Sequence, residues 1–150
     1  MASVERVRAQ AIEQFWETVP PLWGMIRSRI RASAETDFGI TVEQFHVLRY
    51  VNRGMDSMRE LASAKNISLP AISQAVEILV QKGLLRRLQS KEDRRHVDLS
   101  LTKEGNALLE ALFGRMKAWM RERMACMTAD ELETIGRAMD SLRKMLPEKP

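Results

Sequence analysis

The sequence predicts a mainly α fold with one small β-hairpin. Apolar residues recur at helical spacing through both ends of the chain, and three capping boxes mark helix starts at Thr41-Val-Glu-Gln44, Ser57-Met-Arg-Glu60 and Thr128-Ala-Asp-Glu131. One short stretch alone, residues 84–101, shifts toward a period of two, with Val97, Leu99 and Leu101 alternating with Asp98 and Ser100.

Residues 4–34 form the first expected helix, on the stripe Ile12, Phe15, Trp16, Val19, Leu22, Trp23, Ile26 and Ile30. Pro20 and Pro21 fall inside it, and a kink or a short break is expected there because proline removes a backbone donor and crowds the preceding turn. Thr41 opens a second helix that buries Val42, Phe45, Leu48 and Val51 and ends near Asn52-Arg-Gly54. Ser57 opens a short third helix running to about Lys65. Ser68 caps a fourth with Pro70 in its first turn, ending at Gly83. Leu84 to Leu88 and Val97 to Leu101 then pair as a hairpin whose tip is the polar stretch Gln89 to Arg95. Thr102 begins a long helix with Leu108, Leu112, Met116 and Trp119 on one stripe. Thr128 opens the last helix, with Leu132, Ile135, Met139, Leu142 and Met145.

Composition narrows the function classes. The chain has 150 residues, 45% hydrophobic and 29% charged, as expected of a soluble globular protein. No apolar run approaches the roughly 20 residues that cross a bilayer, and the mixed charges of the N-terminal MASVERVRAQ argue against a secretory signal. A lone cysteine, Cys126, cannot form an internal disulfide, so a reducing cytoplasmic setting is expected. No Gly-rich phosphate loop, nucleophile–His–acid set or metal-ligand cluster is present, so neither an enzyme nor a cofactor is expected.

The net charge of +4 is modest, but it is concentrated. Residues 1–40 carry five basic and five acidic groups, 41–81 four of each and 104–150 eight of each, while Asp98 balances Lys103. The whole excess therefore lies in 82–95, where Lys82, Arg86, Arg87, Lys91, Arg94 and Arg95 face only Glu92 and Asp93. A basic hairpin of this kind is suited to phosphates. A membrane-surface protein would instead place its cations along an amphipathic helix.

Projection of residues 68–83 at about 100° per residue places Ile72, Ala75, Val76 and Leu79 on one face and Pro70, Ser73, Gln74, Glu77 and Gln81 opposite. Helix, short turn, helix and basic hairpin together give a winged helix-turn-helix layout, in which the second helix enters the major groove of DNA. The expected recognition-helix contacts are Ser68, Pro70, Ala71, Ser73, Gln74 and Glu77. Gln74 is the best base reader, since glutamine bonds bidentately to adenine.

The segment Ser57–Gly105 resembles the multiple-antibiotic-resistance regulator (MarR) family, through RELASAKNISLPAISQAVEILVQKGLLRR followed by SKEDRRHVDLSLTKEG. The specific parts are the Lys-Gly-Leu-Leu turn, the Asp93-Arg94-Arg95 triplet and the Leu-Thr-x-x-Gly ending at Gly105, and the flanking helices match as well. The resemblance implies a homodimer built by the first and last two helices, bound to double-stranded DNA. It divides the chain into an N-terminal dimerisation helix (1–36), a DNA-binding lobe (37–103) and C-terminal dimerisation helices (104–150). It implies a wing in which Lys91, Asp93, Arg94 and Arg95 act, Asp93 bracing the loop and Arg94 or Arg95 entering the minor groove. One departure is Gln74, where many relatives carry arginine.

Val4, Val7, Ile12, Met139, Leu142, Met145 and Leu146 are the candidates for the dimer interface. The resemblance also implies release of DNA by a small aromatic or anionic effector, and a repressor rather than an activator. Trp16, Trp23, Arg27, His46, Arg49, Met116, Trp119 and Met120 are the candidate lining, although Met and Trp at helical spacing are ordinarily core residues. The rival reading is a winged helix used for protein interaction, which would not require the wing's basicity.

Overall fold

The computed structural model describes residues 2–89 and 97–146. Its elements are α1 (Ala2–Phe38), α2 (Val42–Asn52), α3 (Met58–Lys65), α4 (Leu69–Gln81), β1 (Leu85–Gln89), β2 (Val97–Leu101), α5 (Lys103–Arg123) and α6 (Ala129–Arg143). The mainly α architecture with a single antiparallel hairpin follows the expected order. The chain divides into two compact units, residues 1–116 and 117–150.

Of the kink or short break expected at Pro20-Pro21, the break is absent: α1 continues through both prolines for 37 residues. Proline's fixed φ is itself helical, and its cost lies in a lost donor and a crowded carbonyl one turn back. Both prolines and most of the preceding turn are exposed, which leaves the carbonyls that lose a donor accessible to solvent. α1 ends at Gly39, whose φ of 61° only glycine adopts without strain, and Ile40 N–H donates to the Ala34 carbonyl at 3.0 Å.

The capping boxes work as the spacing requires. Gln44 N–H donates to Thr41 Oγ1 at 3.1 Å and Thr41 N–H to Gln44 Oε1 at 3.1 Å. Ser57 and Glu60 close the same reciprocal pair at the start of α3, as do Thr128 and Glu131 at α6. Each satisfies amides that helix geometry leaves without a partner.

The core lies in the first unit. Phe45, Val47 and Leu48 of α2, Leu61 of α3, Ile72, Val76 and Leu79 of α4, Leu85 and Leu99 of the hairpin and Leu112 of α5 are buried together. Only the last third of α1 joins them, through Ile30 and Ala34. Ser33, buried beside them, donates its hydroxyl to Asp37 Oδ2 at 2.7 Å, and Arg115 Nη1 of α5 lies 2.8 Å from the same oxygen. The remaining apolar stripe of α1 has no cover within its unit: Val4, Val7, Ile12, Trp16 and Trp23 are all at least half exposed. In the second unit, α6 has no buried residue, and Met139, Met145 and Leu146 are exposed while Leu142 is half-buried.

α4 and the hairpin are locked to α5 by a short run of backbone. Gly83, at φ 69°, turns the chain out of α4, and Leu84 N–H donates back to the Leu79 carbonyl at 2.9 Å. Thr102 Oγ1 donates to the Gly83 carbonyl at 2.6 Å and accepts from Gly105 N–H at 3.0 Å. Gly105 sits so close that a Cβ there would stand 2.1 Å from the Leu84 carbonyl oxygen.

Candidate nucleic-acid interface

α4 owes its orientation to one apolar stripe. Ile72, Val76 and Leu79 are fully buried against the core and Ala75 is half-buried, which turns Pro70, Gln74 and Gln81 outward. Ser68 caps the helix by accepting from Ala71 N–H at 3.4 Å, and Pro70 occupies the first turn, where a missing amide costs nothing. Pro70, Ser73, Gln74, Glu77, Ile78 and Gln81 line one shallow surface depression along the helix. The structure thus gathers four of the six residues expected there, Pro70, Ser73, Gln74 and Glu77, onto one surface, with Ala71 exposed beside them and Ser68 serving as the cap.

β1 and β2 pair antiparallel, Leu85 opposite Leu101, Arg86 opposite Ser100 and Arg87 opposite Leu99. Residues directly opposite share a face, so Arg87 lies on the inward side with Leu85 and Leu99, and Arg86 lies on the other. Arg87 Nη1 reaches Glu77 Oε2 of α4 at 2.8 Å, while Gln81 Nε2 donates to Glu77 Oε1 at 3.3 Å. Arg86 Nε donates to Ser100 Oγ at 3.4 Å. Lys82 Nζ donates to the Gly39 carbonyl, tying the end of α4 to the end of α1. β2 is held from its other edge as well, Leu99 N–H donating to the Asp56 carbonyl at 2.7 Å. The expected wing residues Lys91, Asp93, Arg94 and Arg95 lie outside the described residues.

The Glu77–Arg87 pair was invisible to periodicity, because the two residues lie on different elements across a turn. Only the hairpin register, which turns Arg87 inward, reveals it. Arg87 was legible as charge and not as a partner.

The expected effector residues fall into separate places. Arg27, His46 and Arg49 stand near one another in the first unit, and Lys65, which sequence reasoning missed, joins them. Burial holds the His46 imidazole below its ordinary pKa, and the positive charges of Lys65, Arg49 and Arg27 add to this against the opposing pull of Glu43. Burial likewise lowers Lys65 and Arg49, the latter with help from Arg53. Arg27 also lines a surface depression with Gly24, Ser28 and Arg31. Trp16 and Trp23 are 67% and 50% exposed, so neither is a core residue of this chain. Met116 packs against the core of the first unit. Trp119 and Met120 belong to the second unit, where Arg123 stands over the Trp119 ring at 5.7 Å and Met120 lines an apolar depression with Met124, Met127 and Leu132.

Two helices joined by a short turn and followed by a hairpin braced against the second helix define the winged helix-turn-helix class. The MarR family profile matches residues 38–96. The multiple antibiotic resistance protein MarR of Salmonella typhimurium is 31% identical over 110 residues, covering 72% of this chain and 74% of that protein. The transcriptional repressor MdtR of Bacillus subtilis is 32% identical over 95 residues, 63% of this chain and 61% of that protein. The crystal structure of Streptococcus pneumoniae FabT in complex with DNA superposes with a TM-score of 0.71 at 18% identity, covering 89% of this chain and 96% of that one. The chain belongs to the MarR family.

Proposed function

We propose that this protein is a sequence-specific transcriptional regulator that binds a palindromic operator in double-stranded DNA as a homodimer and represses by covering the promoter. The observation that carries this reading is the outer face of α4, polar and aligned along one surface, beside the segment 82–95 that holds the chain's entire charge excess. The likeness to FabT, whose structure holds DNA, and to MdtR, named a repressor, supports it.

In this reading, 37–103 is the DNA-binding lobe, while 1–36 and 104–150 pair the protomers. Each protomer exposes Val4, Val7, Ile12 and Trp16 on α1, and Met139, Met145 and Leu146 in and after α6. Apolar stripes of this length are costly in water, and a second copy of the chain supplies both the cover and the two-fold axis that a palindrome demands. Lys91, Arg94 and Arg95 contact the phosphates and minor groove, with Asp93 bracing them. A small aromatic or anionic effector binds beside His46, near the cations Arg27, Arg49 and Lys65, and acts through different affinities for the DNA-competent and released arrangements. Such a regulator works in the cytoplasm; no described helix is long and apolar enough to cross a membrane.

The test is selection of binding sites from a random duplex pool, followed by a salt titration on the winner. The expected result is an inverted repeat with half-sites about one helical turn apart and a steep salt slope. Failure to enrich any duplex would leave a protein-interaction role for the hairpin.

A further inference from the structure

We infer that α4 reads an A·T-rich half-site, Pro70 and Ala71 meeting thymine methyl groups and Gln74 pairing with adenine, and that it carries no arginine or lysine with which to read guanine. This rests on the proposed binding of duplex DNA and specifies which DNA.

The major groove presents guanine as two acceptors, which proteins read with arginine or lysine, and cytosine as an amino donor, which they read with a carboxylate. α4, Leu-Pro-Ala-Ile-Ser-Gln-Ala-Val-Glu-Ile-Leu-Val-Gln, contains neither arginine nor lysine. Its one carboxylate, Glu77, has both oxygens engaged: Oε2 by Arg87 at 2.8 Å and Oε1 by Gln81 at 3.3 Å. A carboxylate so held keeps free lone pairs, but its orientation is set by Arg87 and Gln81 rather than by a base.

What the face does offer matches the other base pair. Pro70 and Ala71 are exposed in the first turn, the end that a recognition helix presents to base edges, and both are apolar and short enough to meet a C5-methyl group. Gln74 follows one turn later, exposed, with an amide that can donate to adenine N7 and accept from its amino group. Ser73, half-buried beside it, can pair with any base and adds no preference.

The experiment uses the full-length protein and the site selected from a random pool, with affinity read by fluorescence anisotropy at fixed salt. Single thymines under each α4 are replaced by uracil, which removes the methyl and keeps the pairing, and the protein is compared with Q74R. We expect a roughly fourfold loss per methyl and, for Q74R, a new preference for guanine at one position in each half-site. A selected site with G·C pairs under α4 whose exchange abolishes binding would overturn the inference and leave operator binding intact. Salt-dependent binding without sequence preference would overturn it too, while keeping DNA as the partner. Absence of any duplex binding would overturn both it and the function on which it rests.

Discussion

Arg87 of β1 holds Glu77 of α4 at 2.8 Å, so the first strand of the hairpin and the helix beside it are joined by a charged contact as well as by the apolar core. Both side chains remain more than a third exposed, at 37% and 47%. Solvent therefore limits what the pair adds to folding, and its effect belongs to the electrostatics of the binding face.

Replacing Arg87 with alanine is expected to lower folding stability by less than about 1 kcal/mol. It should weaken DNA binding more than that, because it removes a cation and leaves the Glu77 carboxylate turned toward phosphates. Thermal melting alongside an anisotropy titration separates the two effects. R87A in combination with E77Q should recover part of the lost affinity. If the double variant binds no better than R87A alone, repulsion by Glu77 is not the cause.

Arg94 and Arg95 hold a third of the six cations in the basic stretch. The double variant R94A/R95A is expected to bind DNA more weakly while sedimenting as wild type. If both side chains neutralise phosphates, the slope of log affinity against log salt should fall by about 1.8. An unchanged slope would remove the wing from the interface.

Gly105 → Ala tests the lock between α4, the hairpin and α5. A Cβ placed 2.1 Å from the Leu84 carbonyl oxygen cannot be accommodated by rotating a side chain, since the obstacle is backbone. The expected loss is about 1–3 kcal/mol or more, as for other overpacked sites, measured by urea unfolding. Gly114 → Ala is the control, because a Cβ there meets nothing within 4 Å.

His46 makes stability depend on pH. Its imidazole is protonated less readily in the folded chain than in the unfolded one, first because it is buried and then because Lys65 and Arg49 stand nearby. The unfolded state therefore gains protons first, so this contribution to stability is complete above about pH 6.5 and declines as the pH falls below it. Wild type should lose more melting temperature between pH 7.5 and pH 5.5 than His46 → Gln. Equal losses would assign the decline to other groups.

Local chemistry was readable from residue order because it acts over three or four positions. Thr41 with Gln44, Ser57 with Glu60 and Thr128 with Glu131 each satisfy amides within one turn, and the apolar spacing of Ile72, Val76 and Leu79 was enough to turn Gln74 outward. At Pro20 and Pro21 residue order left a kink and a short break as alternatives, and the helix continues without a break because its exposed carbonyls are accessible to another partner.

By itself, the sequence determined the helices, their caps, the hairpin and the place of the positive charge, since each depends on neighbours along the chain. Tertiary structure alone decided that Arg87 meets Glu77, that Lys65 joins Arg27, His46 and Arg49, and that Trp16 and Trp23 remain uncovered within their unit. Those facts depend on which faces of separate elements meet, and packing in three dimensions sets that.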